Sequence, residues 1–213
     1  APLRYDGLDV DEVELEWGTA IQPATVKEKL DTGEYGAVII TYSETCTATA
    51  TDVEAIGGIV KDTDAILLVD AITACGTLPL ETDAWGLDVV ASGSQKAFML
   101  PPGLAMLSVS EKAWQCAEKV ENPPVFYLDL KAYRKSLAKD DTPYTGPVSL
   151  IRGLEVACEK INEIGIDRVT ARCAVLAKAM REAAAAMGLE VFSKQPSDSV
   201  TAMPPAHSSA KDP

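Results

Sequence analysis

Four short apolar runs constrain this chain more than anything else in it: Ala37–Tyr42, Ala65–Val69, Leu87–Ala91 and Leu104–Val109. None shows the clear apolar–polar alternation of a half-solvated strand, so each predicts a buried strand. Between the first two, Asp52 is placed to cap a helix running to about Lys61, with Val53, Ile56 and Val60 on one face. Buried strands mixed with helices predict an α/β sheet covered on both faces.

The second half reads as helical. Pro147 suits the first turn of a helix whose Leu150, Ile151, Leu154, Cys158 and Ile161 form one apolar stripe. Gly165 is expected to end that helix or the loop after it, and Asp167 to begin another. The second carries Val169, Cys173, Leu176, Met180 and Met187 at helical spacing, with Gly188 just past its end. Leu189–Phe192 is expected to start a new strand, and the stretch from Met203 to Pro213 has no period.

Composition narrows the function. A chain of 213 residues can bury a full core, as one large domain or as one and part of a second. A formal net charge of −13 with no basic stripe argues against nucleic acid and anionic membranes as partners. The five cysteines are odd in number and contain no CxxC pair, which suits free thiols in a reducing compartment. No secretory pattern is present, and no apolar run reaches the roughly 18 residues of a membrane span. A soluble cytoplasmic protein is the expectation.

Several chemistries find no residues to carry them. GxGxxG, GxxxxGK[ST] and HExxH are all missing, and the single histidine, His207, lies in the aperiodic tail. No metal site is expected, since scattered cysteines make a poor zinc set. What remains is Asp70, closing one apolar run, and Lys96, following another after Ser92-Gly93-Ser94-Gln95. In an open α/β sheet, ligands bind beyond the carboxyl ends of the strands. An aspartate there can keep a heterocyclic nitrogen protonated, and a sheltered lysine can attack an aldehyde. Taken singly, such an aspartate is more often a turn residue and such a lysine a solvated charge.

The wording around the two residues is more specific. Ile66-Leu67-Leu68-Val69-Asp70-Ala71-Ile72 and Ala91-Ser92-Gly93-Ser94-Gln95-Lys96-Ala97, followed by Pro101-Pro102-Gly103, resemble the class V (fold type I) aminotransferases, nearest the alanine–glyoxylate and serine–glyoxylate branch. Leu15–Gly18, Thr41–Thr47, Phe126–Asp129 and Thr142–Ser149 add further matches in family order, over residues 8 to 203. The resemblance implies a large α/β domain with a mostly parallel sheet, over residues 1–164. Residues 165–213 would be a linking helix and the start of a small α+β domain.

It also implies pyridoxal 5'-phosphate as cofactor and a two-stage exchange between a small amino acid, alanine or serine, and a 2-oxo acid, glyoxylate or pyruvate. Lys96 then matches the Schiff-base lysine and proton carrier, and Asp70 the partner of the pyridine nitrogen. Gln95 and Ile72 match residues lining the cofactor, and Thr45 and Cys46 match small polar side chains near the ring. Thr145 matches a position reaching the cofactor phosphate of a neighbouring subunit, which implies a homodimer. For Thr45, Cys46 and Thr145, simple bonding to nearby backbone is an equal alternative.

Two departures stand out. Where the family has glycine after Thr47, this chain has Ala48, which would be strained if the position needs positive φ. The family's glycine-rich phosphate cup, its ring-stacking aromatic and the arginine for the substrate carboxylate are not matched, Arg134, Arg152, Arg168, Arg172 and Arg181 included. The chain is therefore expected to be a fragment, or the product of a truncated reading frame, whose missing phosphate contacts weaken cofactor binding and leave its own transamination open. Other readings are a lyase or cysteine desulfurase on the same fold, against which Gln95 before Lys96 speaks, and a catalytically silent companion subunit.

Overall fold

The computed structural model describes residues 8–121 and 123–204. His207 and the tail beyond it lie outside the described residues.

Each predicted apolar run becomes a strand. β1 (Ala37–Thr41), β4 (Ile66–Asp70), β5 (Val89–Gly93) and β6 (Ala105–Val109) form one sheet in the order β1-β4-β5-β6. The first three are parallel, with Thr41, Asp70 and Ala91 abreast, and β6 runs antiparallel to β5. β2 (Ser43–Glu44) and β3 (Thr49–Ala50) form a small hairpin beyond the end of β1. An α/β architecture with a mostly parallel sheet is thus what the sequence encodes.

Two helices, α1 (Pro23–Thr32) and α2 (Val53–Val60), build the core against one sheet face. Asp52 caps α2 as expected, its carboxylate accepting the Ala55 N–H at 3.0 Å. Val53, Ile56 and Val60 are fully buried and meet Ile40, Leu67, Val69 and Val90. On the other face the cover among the described residues is thinner: Ile39 is 53% exposed and Leu107 48%. Gly57 lets α2 approach the loop before β5 closely, because a Cβ there would lie 2.1 Å from the Trp85 carbonyl oxygen.

Tyr42 closes this core beside the edge of Trp85, and its hydroxyl donates to the Pro79 carbonyl at 2.8 Å. Burial, with smaller contributions from Asp52 and Glu54, pushes that hydroxyl up to about 12. An unfolded tyrosine titrates near 10, so the unfolded chain loses its proton first. The stabilisation is therefore whole below pH 10 and is lost as pH rises toward about 12. Tyr42→Phe is expected to flatten that alkaline loss by about 2 kcal/mol, read from urea titrations at about pH 9 and 11.5.

At the amino end of β5, Asp88 is buried. Its two carboxylate oxygens accept the Leu67 N–H at 2.9 Å and the Ser110 hydroxyl at 2.6 Å. Lys112 stands 3.9 Å away, its ammonium bonded to the Thr63 and Ala65 carbonyls. This knot joins β4, β5 and α3 (Glu111–Glu118) at the end of the sheet opposite Asp70.

A short helix α4 (Leu130–Leu137) precedes the two long ones, α5 (Val148–Ile164) and α6 (Ile166–Ala186). Gly165, at φ 91°, separates them, as its position suggested. Leu150 and Gly153 set α5 on the loop after β5: a Cβ on Gly103 would touch Leu150, and one on Gly153 would touch Leu100. In α6 the buried line is Thr170, Ala177 and Ala184, whereas Leu176, Met180 and Met187 of the expected stripe are exposed. Small residues make the close face here.

The strand expected at Leu189–Phe192 does not form. β-propensity needs a partner edge, and this segment meets several loops instead. Phe192 N–H donates to the Ala202 carbonyl and Lys194 N–H to the Gly18 carbonyl, while Ala50 N–H donates to the Gln195 carbonyl.

Candidate functional site

Three loops leave the carboxyl ends of β1, β4 and β5, and they carry five of the seven expected site residues: Thr45 and Cys46, Ile72, and Gln95 and Lys96. Asp70, a sixth, is the last residue of β4. The strands end there because the apolar run gives way to a polar residue. Asp70 Oδ1 then accepts the Ile72 N–H at 2.9 Å, which turns the chain out of the sheet. The Asp70 side chain is exposed, and Oδ2 makes no hydrogen bond among the described residues.

Lys96 follows β5 in a tight turn, with the Met99 N–H donating to its carbonyl at 2.9 Å. Ser94 clamps that connection. Its N–H bonds the Leu104 carbonyl, its hydroxyl bonds the Pro101 carbonyl at 2.8 Å, and the Leu104 N–H bonds the hydroxyl at 3.2 Å. The Lys96 ammonium is exposed and forms no ion pair among the described residues. The loops after β4 and β5 touch directly, since a Cβ on Gly76 would lie 2.9 Å from that of Ala97. Gln95 folds back over Gly93, where a side chain would meet its amide oxygen at 2.9 Å.

The loop after β1 joins them through a hydroxyl pair, Thr45 Oγ1 and Thr73 Oγ1, at 2.8 Å. Glu44 holds the tip of that loop by accepting the Cys46 N–H at 2.9 Å, and the Cys46 thiol is free and exposed. Ala48 lies at φ 55° and is fully buried. The position does demand the left-handed region, so alanine sits there under strain.

Thr145 is not brought to this cluster. It is exposed in the loop before α5, beside Tyr144, which packs among Phe126, Tyr127 and Tyr133. Thr73 escaped the sequence reading; the only available signal was a hydroxyl three residues beyond Asp70. Also unforeseen was a buried hydroxyl cluster behind the loop, made by Ser43, Thr47 and Thr49 with Ser193, Ser197 and Ser199.

An unengaged carboxylate oxygen, a primary amine on the next loop and a hydroxyl pair joining the loops after β1 and β4 suit the ring and aldehyde ends of pyridoxal phosphate. Asp70 would face a protonated pyridine nitrogen, and Lys96 the aldehyde carbon. Among the described residues, no group of three or more His, Cys, Asp or Glu is arranged to hold a metal ion. No helix among them is long and apolar enough to cross a membrane.

Comparison with known proteins is consistent with this chemistry. The family Aminotransferase class-V matches residues 3–209. The chain is 42% identical to the small subunit of a soluble hydrogenase from Synechococcus sp., over 93% of this chain and 53% of that one. It is 37% identical to a serine–glyoxylate aminotransferase from Methylorubrum extorquens, over 92% and 52%. The structure of pyridoxamine–pyruvate aminotransferase from Mesorhizobium loti superposes with a TM-score of 0.85 at 32% identity, covering 91% of this chain and 51% of the other. The chain thus spans about half the length of the curated relatives it matches.

Proposed function

This chain belongs to the class V aminotransferases, and from that membership we propose that it supplies the lysine- and aspartate-bearing part of a pyridoxal-phosphate pocket. The reaction we assign is transfer of an amino group from a small amino acid, alanine or serine, to a 2-oxo acid, glyoxylate or pyruvate. The observation that carries the reading is Asp70 and Lys96 at the carboxyl ends of adjacent parallel strands, with their loops in contact.

When bound, the cofactor supplies an electron-withdrawing ring that weakens the bonds at the substrate α-carbon. The chain's own residues do the rest. Asp70 would favour a positive charge on the ring nitrogen, with its carboxylate as the partner of that proton. Lys96 Nζ would hold the cofactor and, as a free amine, would accept the proton from the substrate α-carbon and hand it on to the cofactor. Thr45, paired with Thr73, offers a hydroxyl to the ring substituents, while Ile72, Gln95 and Cys46 line the approach. Thr145, exposed in the loop before α5, would reach the neighbouring subunit's cofactor phosphate in a homodimer. The five free cysteines support a reducing, cytoplasmic setting.

Incubation with pyridoxal phosphate, borohydride reduction and peptide mapping test the assignment. Label is expected to concentrate at Lys96 over every other lysine, and Lys96→Ala should abolish it there without moving it to another lysine. Label spread over surface lysines in the unmodified protein would sink the reading. A catalytically silent companion subunit is the second reading, supported by the name of the Synechococcus relative. It allows trapping at Lys96 but no exchange of amino groups when alanine and glyoxylate are added.

A further inference from the structure

The loop bearing Thr45 and Cys46 is held at its tip by Glu44 and at its base by the β2–β3 pairing, but not by these alone. Its Ala48 occupies the left-handed region, where the Cβ of a non-glycine residue crowds its own backbone. Such strain persists only where surroundings over-determine it. Here the surroundings come from a segment far along the chain. Ser197 N–H donates to the Ala48 carbonyl at 2.8 Å, and Ala50 N–H donates to the Gln195 carbonyl at 2.9 Å.

Side chains lock the same junction. Ser43, Ser197 and Ser199 form a closed triangle of hydroxyls at 2.7, 2.8 and 2.7 Å. Three O–H donors and three oxygens satisfy one another around that ring. Ser43 is 2% exposed and Ser197 0%, so water competes for neither. A second run, Thr47 to Thr49 to Ser193, continues to the Gly18 carbonyl. Arg181 of α6 anchors the segment through the Ser197 carbonyl at 3.2 Å and the Asp198 carboxylate at 2.8 Å.

We propose that Ser197, with Ser43 and Ser199, is a positioning residue: the triangle holds Ala48 left-handed and so sets Thr45 against Thr73 at the mouth of the site. Ser197 touches no reacting atom and acts through the loop. The holding of the loop stands on the geometry alone; its effect on the cofactor rests on the reading proposed above.

Hydrogen–deuterium exchange separates the two parts. Ser197→Ala is expected to raise exchange in the peptide covering residues 43–50 about tenfold, while residues 66–70 change less than about twofold. Adding Ala48→Gly, which removes the strain, is expected to bring the loop back to within about threefold of the original. A cavity or general loosening would not be cured by that glycine. Exchange that is unchanged in the loop, that rises equally in residues 66–70, or that the glycine does not restore would overturn the proposal. Ser199→Ala, which leaves the Ser43–Ser197 bond in place, carries the same test with a rise of about threefold should Ser197→Ala not fold.

Borohydride trapping at Lys96 is then run on the same proteins, with yield expected to fall in Ser197→Ala and recover with Ala48→Gly. No trapping in the unmodified protein refutes the cofactor reading and leaves the exchange result to decide the loop. Equal trapping in every variant shows a loop that does not position the site, and the proposal fails.

Discussion

Gly57→Ala is expected to lower stability by about 2–3 kcal/mol, while Gly58→Ala one residue on should raise it by about 0.5–1 kcal/mol. Both glycines lie inside α2, where alanine is intrinsically the better helix former. Their surroundings reverse the outcome at the first. A Cβ on Gly57 would stand 2.1 Å from the Trp85 carbonyl oxygen and 3.1 Å from Leu87 Cδ2, whereas one on Gly58 meets nothing within 4 Å. The obstacle at Gly57 is backbone, so no rotamer change relieves it. Either α2 backs away from the sheet or residues 81–87 shift and carry the buried Leu87 with them. Paired urea titrations decide it, and equal effects at the two positions would refute the close approach.

The second large effect lies at Asp88. Its replacement by alanine is expected to cost about 3–4 kcal/mol, because it strands the Leu67 N–H and the Ser110 hydroxyl and leaves Lys112 beside carbonyls alone. Asp88→Asn keeps one good acceptor and should cost about half as much. The same titrations apply, with lowered midpoints at unchanged slope. Since Asp88 and Asp70 occupy opposite ends of the sheet, a folded Asp88→Asn should still trap pyridoxal phosphate at Lys96. Loss of trapping there would mean that the two ends are mechanically linked.

What could be read from the sequence was local. The four apolar runs marked strands because burial leaves its trace in consecutive residues, and Asp52 marked a helix start because a cap is a short-range bond. The strain at Ala48 was readable because a family resemblance supplied glycine as the comparison. Asp70 and Lys96 stood out for the same reason, each at a polar break after an apolar run. Pairing was not readable. Nothing in Ala105–Val109 announces that it runs antiparallel to β5, since a strand's own residues do not name its neighbour. Leu189–Phe192 misled for the converse reason: it has a strand's composition but no edge to join. The Thr45–Thr73 pair and the serine triangle were invisible because scattered hydroxyls are common everywhere.

The serine triangle also orders events in time. The Ser43–Ser197 bond spans 154 positions, whereas the Ser94 clamp beneath Lys96 closes within ten. During synthesis the strands bearing Asp70 and Lys96 leave the ribosome long before Ser197 does. A nascent chain therefore owns its lysine and aspartate early but lacks the fastening that orders Thr45. The pocket gains its final shape only once residues 193–199 have left the ribosome, so ordered cofactor capture is expected after Ser197 emerges and not when Lys96 does.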